Sequence, residues 1–381
     1  MQYTRHLVTA PLLFFLVVVI LAGCDSGGSP SAGSSASPSA GIQLGAQPCP
    51  RAVKDPAHWN ALVGLAADQT LEGVTCGNLI GIAALQAVVT VRHAGIDRVL
   101  DVFIYNHITA SNPAQLFALR GLLRGDAKIS GYNTLLTGQA DPHSSLNKGL
   151  PESELEQDLY REFQWSDSAR TFVQIAFQGI FPDLTRFQAE IVQAEVNVGE
   201  GSQQWRLDIV KSAQNFVNTF LNWPADVPVT VLSGGGSRDY QAMVQVRSPA
   251  PGGGTIRITF KRLEGNNNGG IWEAAAIESD GLSITSPQSE QRLVSPVKIA
   301  GINKLYQGKS MVIRVLDHFY TDIGHSTVAT SSVNEQGGFS ATVPYASSFQ
   351  GGTQEGIVAL YVYNGDGSIA AVVMVKVLLS A

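Results

Sequence analysis

His93, His107, Asp97 and Asp101 lie close together along the chain, with Arg98 among them. Imidazoles and carboxylates in that proportion can ligate a divalent metal or exchange protons in acid–base work. The stretch also joins two apolar runs, so polar hairpin residues facing solvent are the simpler account. Ser145-Leu146-Asn147-Lys148 and Ser295-Pro296-Val297-Lys298 each set a hydroxyl three residues before an amine. At that spacing a Lys can take a Ser proton, if the fold brings the two together. The K-T-G and S-D-N partners of that chemistry are absent, and two matches in one chain show how loose the pattern is.

Gly308-Lys309-Ser310 looks like the end of a phosphate-binding loop. The Gly required five residues earlier is Asn303, so a turn leading into a strand is expected instead. Asn364-Gly365-Asp366-Gly367-Ser368 offers oxygens at alternate positions, as a calcium loop does, but lacks the later bidentate Glu. A hairpin turn is the expectation there. Phe163 with Trp165, and Phe177 with Phe181, are paired aromatics that either line a ligand cavity or fill a core. Gln174, Gln178, Arg186 and Gln188 could add polar contacts, but core packing is expected. No residue is therefore assigned a catalytic, metal-binding or cofactor-binding role.

The elements that must position these residues fall into three regions, and the expected fold class is α+β multidomain. Residues 49–201 read as a mixed α+β domain. Leu85 to Val91 and Val99 to Tyr105 are β-branched apolar runs, joined as a hairpin through His93 to Arg98. A short helix is expected over Pro113 to Leu123, with Pro113 suited to its first turn. Ile129 to Leu136 reads as extended. Leu155, Leu159 and Phe163 at i, i+4, i+8 predict a helix over Glu152 to Gln164. Phe172 to Phe177 reads as a strand and Asp183 to Val196 as a helix.

Residues 202–286 open with an amphipathic helix whose apolar face is Ile209, Val210, Ala213, Phe216, Val217, Phe220 and Leu221; Pro224 stops it. Four strands are expected next: Val229 to Leu232, Tyr240 to Arg247, Thr255 to Leu263 and Ile271 to Glu278. This order, a helix and then a four-stranded antiparallel sheet with a Trp-bearing last strand (Ile271-Trp272-Glu273), resembles the cystatin-like and nuclear-transport-factor-like cone folds. The region also has the option of packing with the previous one as a single domain.

Residues 293–381 read as all strand: Val297 to Ala300, Met311 to Leu316, Thr327 to Val333, Phe339 to Tyr345, Gly356 to Tyr363 and Ile369 to Leu379. Short strands separated by turns suggest an antiparallel sandwich. Ser295-Pro296-Val297, Gly337-Gly338-Phe339-Ser340 and the tip Asn364-Gly365-Asp366-Gly367 resemble the immunoglobulin-like domain that closes spore-germination-type lipoproteins. That resemblance implies a binding or spacing module.

Leu21-Ala22-Gly23-Cys24 closes an apolar run and resembles the lipobox of bacterial lipoproteins. The resemblance implies cleavage before Cys24 and acylation of its sulfur. Residues 1–23 fit a signal peptide: Arg5 and His6 give a short basic start, and Leu12 to Leu21 is too short for a permanent span. Residues 24–48 are rich in Gly, Ser, Ala and Pro and read as a tether, because such a segment cannot bury enough apolar surface to offset its ordering entropy. As a coil of about 24 residues it would reach on the order of 25–30 Å. The chain has three Cys. With Cys24 carrying lipid, Cys49 and Cys76 are left to pair as a disulfide in an oxidising compartment.

The 381 residues carry a formal charge of −6. A mildly acidic chain without a basic run is a poor nucleic-acid binder. Anchoring would rest on the acyl chains, two of which suffice where one is marginal. The expectation is an extracytoplasmic lipoprotein on the cell membrane, a non-catalytic binding or scaffold protein with an envelope protein or polymer as partner. An envelope hydrolase acting on peptidoglycan or another polymer is the first alternative, and a solute-binding lipoprotein the second.

Overall fold

Asp55 accepts a hydrogen bond from the Ala57 N–H at 2.9 Å, and Pro56 takes the first helical position. Together they start α1 (Pro56–Val63), because the cap satisfies an N–H that the first turn leaves free. The computed structural model describes residues 42–380, apart from 96–97, 178, 180–183, 185, 251, 264–268, 330–332 and 348–351. Signal, lipobox and most of the tether thus lie outside the described residues, as do Asp97, Gln178 and Phe181.

Four strands follow in order: β1 (Gln69–Gly77), β2 (Gln86–His93), β3 (Leu100–Asn106) and β4 (Ala114–Leu122). They form one antiparallel sheet in sequence order. The predicted hairpin is present as β2 and β3. Both faces of that pair are buried, which is why its strands read as continuous apolar runs. Val89, Val91 and Phe103 pack toward Trp59 of α1, while Val88, Val102 and Ile104 pack toward the next sheet. Cys49 and Cys76 are joined by a disulfide beneath α1, the pairing expected.

The second sheet contains β5 (Asp126–Ile129), β6 (Leu135–Gln139), β7 (Leu159–Ser166) and β8 (Thr171–Ile175), again antiparallel and sequential. Three expectations are corrected here. Pro113 to Leu123 is the strand β4, not a helix. Glu152 to Gln164 is a short 3-10 turn at Glu152–Glu154 followed by β7. Ile129 to Leu136 is the turn between β5 and β6, not one extended run. The helix expected over Asp183 to Val196 is α2 (Arg186–Asn197), which lies near β6 and β7.

The expected amphipathic helix is α3 (Ile209–Leu221). Asp208 caps it by accepting from the N–H groups of Val210 and Lys211. The chain then adds β9 (Val229–Gly234), β10 (Gln241–Arg247), β11 (Thr255–Arg262), β12 (Trp272–Ser279), β13 (Leu282–Ser286), β14 (Arg292–Leu293), β15 (Val297–Asn303), β16 (Ser310–Asp317), β17 (Asp322–Val328), β18 (Gly338–Val343), β19 (Thr353–Tyr363) and β20 (Ile369–Ser380). The strand expected over Thr327 to Val333 lies earlier in sequence, as β17. All twelve strands belong to one sheet system, whose longest path runs β17-β16-β19-β20-β12-β11-β10-β9. Its described pairings are antiparallel except β14 with β20.

Strand β19 shows how this sheet is held. Ile357, Ala359 and Tyr361 face a core shared with Phe216 and Val217 of α3. Val358, Leu360 and Val362 face a second core with Ile299 of β15 and Val343 of β18. A strand buried on both faces has no polar alternation to show, and β19 shows none. The protein is therefore mostly antiparallel sheet, with three α-helices among the described residues. No helix among them is long and apolar enough to cross a membrane.

Candidate functional site

The hairpin β2–β3 brings two of its predicted side chains together. His93 Nε2 lies 3.2 Å from Asp101 Oδ2, and His93 Nδ1 lies 3.6 Å from Asp68 Oδ2. Asp101 is buried, accepts from the Gly121 N–H at 2.9 Å and has Arg120 at 3.6 Å. His107 follows the opposite end of β3 and is not part of this group. The backbone oxygen of Arg98 accepts from Arg92, whose guanidinium also grips Glu72. No three His, Cys, Asp or Glu side chains among the described residues are placed to hold a metal ion.

The remaining sequence motifs occupy turns. Ser145 is exposed in the turn after β6, beside a buried Ser144 that donates to Asp158. Ser295 Oγ accepts from the Tyr345 N–H at 2.9 Å. Lys309 Nζ donates to Asn364 Oδ1 at 2.6 Å and to Gly252 O at 3.3 Å, tying the Gly308 turn to the tip of the last hairpin. In that tip, Asp366 Oδ1 accepts from the Ser368 N–H and hydroxyl, which hold its carboxyl below the usual carboxylate range. Phe163 stacks within a ring cluster that also contains Phe117, itself 5.6 Å from Phe172, whose other neighbour is Trp165. These aromatics fill a core.

The most developed site lies elsewhere. A cavity of about 230 Å³ lies between the second sheet, the start of α2 and the ends of β11 and β12. Glu162, Glu273 and Glu290 line it together with Arg186, Lys261 and Arg262. Tyr132, Thr134 and Gln164 add uncharged polar groups; Ile175, Phe177 and Leu263 add apolar wall.

Three of the charged side chains, Glu162, Arg186 and Arg262, are held in place by named partners. Glu162 stands on β7 and is 5% exposed. Its Oε1 accepts from Thr134 Oγ1 at 2.5 Å. That leaves Thr134 Oγ1 to accept from Ser130 Oγ, 2.5 Å away, and Ser130 Oγ in turn accepts from the N–H groups of Tyr132 and Thr134. The β5–β6 turn is thus wired to the carboxylate in one direction. Burial raises the Glu162 carboxyl above its ordinary range; the Arg186 charge and the Thr134 hydrogen bond oppose this, while Glu355 and Glu190 add to it.

Arg186, the first residue of α2, is 4% exposed. Its Nε lies 3.9 Å from Glu162 Oε2 and its Nη2 3.0 Å from Glu190 Oε1. The guanidinium carbon stands 4.6 Å from the centre of the Tyr132 ring. Its Nη1 is buried with no hydrogen-bond acceptor among the described residues. A buried donor left unpaired is costly, so the position calls for an acceptor.

Arg262 has its donors committed. They bond the backbone oxygens of Asp239, Gly236 and Gly270, and the guanidinium carbon sits 4.0 Å from the Trp272 ring centre. Below the cavity, Phe177 is held by its N–H to Glu355 Oε1 at 2.6 Å. A second polar group adjoins this floor: the half-buried His318 bonds the backbone oxygen of Asp158, whose carboxyl burial also raises.

Of the residues singled out in sequence, Arg186 and Phe177 reach the cavity. Gln174 instead bonds Thr353. Glu162, Lys261 and Glu273 carried no signal: Glu162 fell on an expected helix and the other two on expected strands, where a charged residue reads as solvent-facing. Comparison with protein-family models and with curated proteins finds no match for this chain.

Proposed function

We propose that this chain is a lipid-anchored binding protein on the extracytoplasmic face of a bacterial cell membrane, and that it holds a small polar ligand without transforming it. The observation that carries the binding part is the cavity under α2, which three carboxylates and three cations line. Concave sites with a few placed polar groups among apolar ones are the usual form of a small-molecule site. The lipobox-like run Leu21-Ala22-Gly23-Cys24 and the Gly/Ser/Pro-rich stretch behind it support the location. Residues 293–381 are read as an immunoglobulin-like module that spaces this site from an envelope protein or polymer. The α3 helix with β9–β12 is read as a cystatin-like cone, supported by the core that Phe216 shares with Val244, Ile256 and Ile258.

The test uses the full chain expressed in a bacterium, fed an alkyne fatty acid and fractionated. The expected result is label on the wild type in the membrane fraction, and loss of label with release from the membrane for Cys24→Ser. Native mass spectrometry of the purified protein should then show a small bound mass. An unlabelled cytoplasmic wild type overturns the location. Slowed peptidoglycan turnover in cells carrying His93→Ala, Asp101→Ala and Ser145→Ala overturns the non-catalytic reading in favour of an envelope hydrolase.

A further inference from the structure

We propose that the cavity under α2 takes a small zwitterion, one carboxylate and one ammonium on an amino-acid-sized frame, with the carboxylate on Arg186. This rests on the reading of the cavity as a ligand site. The first observation is Arg186 Nη1, a charged donor in a buried side chain that lines the cavity and has no acceptor among the described residues. A carboxylate supplies that acceptor in its strongest form, a charge-assisted hydrogen bond.

The second observation is the balance of charge on the wall. Glu162, Glu273 and Glu290 face the same space as Arg186, Lys261 and Arg262. A guest with net negative charge meets three carboxylates, and a guest with net positive charge meets three cations. A guest that is neutral overall but separates its charges finds a partner for each end, which is what electrostatic complementarity selects. An uncharged sugar would make no charge-assisted bond to either set.

Size and the apolar wall narrow the class further. The volume of about 230 Å³ falls below the roughly 300–1,000 Å³ of sites for drug-sized ligands. Ile175, Phe177 and Leu263 give a guest's side chain an apolar face to rest on. A free amino acid with a small or aliphatic side chain meets all three conditions.

Titration calorimetry on the purified full-length lipoprotein decides this. The probes are the free amino acids, with L-leucine, N-acetyl-L-leucine and L-leucinamide as the matched set and glucose as the uncharged control. At least one free amino acid should bind. Blocking its amine or its carboxylate should weaken binding by about tenfold or more, the scale expected for losing one charge-assisted pair. Arg186→Gln should lose binding to a similar degree, and Arg186→Lys should restore part of it. Because Arg186 is buried, its variants are compared at equal circular dichroism. Glu290→Gln, at an exposed position, should weaken the amine-bearing probes and leave N-acetyl-L-leucine unaffected. Equal binding of the blocked and free forms overturns the zwitterion, as does indifference to Arg186→Gln in a folded variant. Binding of glucose alone overturns it too while leaving a binding protein in place. Silence from every probe, together with no bound mass in the native protein, removes both readings.

Discussion

Lys376 Nζ lies 2.6 Å from Glu355 Oε2, with 9% and 11% of the two side chains exposed. The pair joins neighbouring strands, β20 and β19, and each partner also reaches outside the sheet. Glu355 Oε1 accepts from the Phe177 N–H at 2.6 Å, and Lys376 Nζ donates to Gly179 O at 3.0 Å. The ion pair therefore pins the segment after β8, which carries one wall of the cavity, onto the large sheet.

Breaking one side of this pair should be costly. A buried ion pair contributes little net stability, because desolvation offsets attraction, but a lone buried charge is penalised heavily. Lys376→Met should lower unfolding stability by about 3–5 kcal/mol in urea melts. Lys376→Met combined with Glu355→Leu should recover much of that loss. A double variant no better than the single one would mean that the hydrogen bonds to Phe177 and Gly179, not charge, set the cost.

How far such a wall could be read in the sequence depends on periodicity. The run Leu155, Leu159, Phe163 was legible as buried, and all three are buried. Its spacing of four fits the turn of a helix and also two full periods of a strand, so burial was readable while the element was not. Ala114–Leu122 failed differently. Ala, Gln, Leu and Arg favour helix, but pairing with β3 overrides that preference, and two bulges along the pair break the alternation that would have marked a strand. The strands β10 and β11 alternate cleanly and were read within a residue or two of their ends. The cavity was least legible. It is built from turns and strand ends far apart in sequence, and only Arg186 and Phe177 of its wall drew notice.

The α3 helix offers a local check on the sheet's core. Phe216 is fully buried against β10 and β11 residues, and Asp208 holds the helix start. Phe216→Ala should cost about 3–5 kcal/mol through the cavity it leaves. Asp208→Ala should cost about 1 kcal/mol through the lost cap. Comparable losses for the two in thermal melts would contradict the packing described for α3.

Glu162 predicts a pH dependence of defined sign. Burial raises its carboxyl in the folded state above the ordinary 4.5. The native protein then holds a proton that the unfolded chain has released, so this group's contribution is full below 4.5 and is lost as pH rises through the folded value. Glu162→Gln keeps the shape and an acceptor for Thr134 but cannot ionise. The stability of the wild type minus that of Glu162→Gln should fall as pH rises above about 4.5. Groups common to both proteins, Asp158 among them, cancel in that difference. A difference that stays level or rises would show that Arg186 outweighs burial.

The disulfide makes the last prediction. Cys49 precedes α1 and Cys76 ends in β1, with a sequence separation of 27. Between them lie α1 and most of an outer strand, whose β1–β2 pairing is interrupted by a bulge at Leu71 and Gly73. Closing a loop of that length removes freedom mainly from the unfolded chain, by about 3–4 kcal/mol on loop-entropy reasoning. Cys49→Ser with Cys76→Ser should therefore lower stability by about that amount. Native-state hydrogen exchange should place the loosening first in residues 50–77, since β2 and β3 keep their own pairing and the face they bury against the second sheet. Loosening that began instead in α3 or β19 would mean that the bridge supports the whole protein and not its first layer.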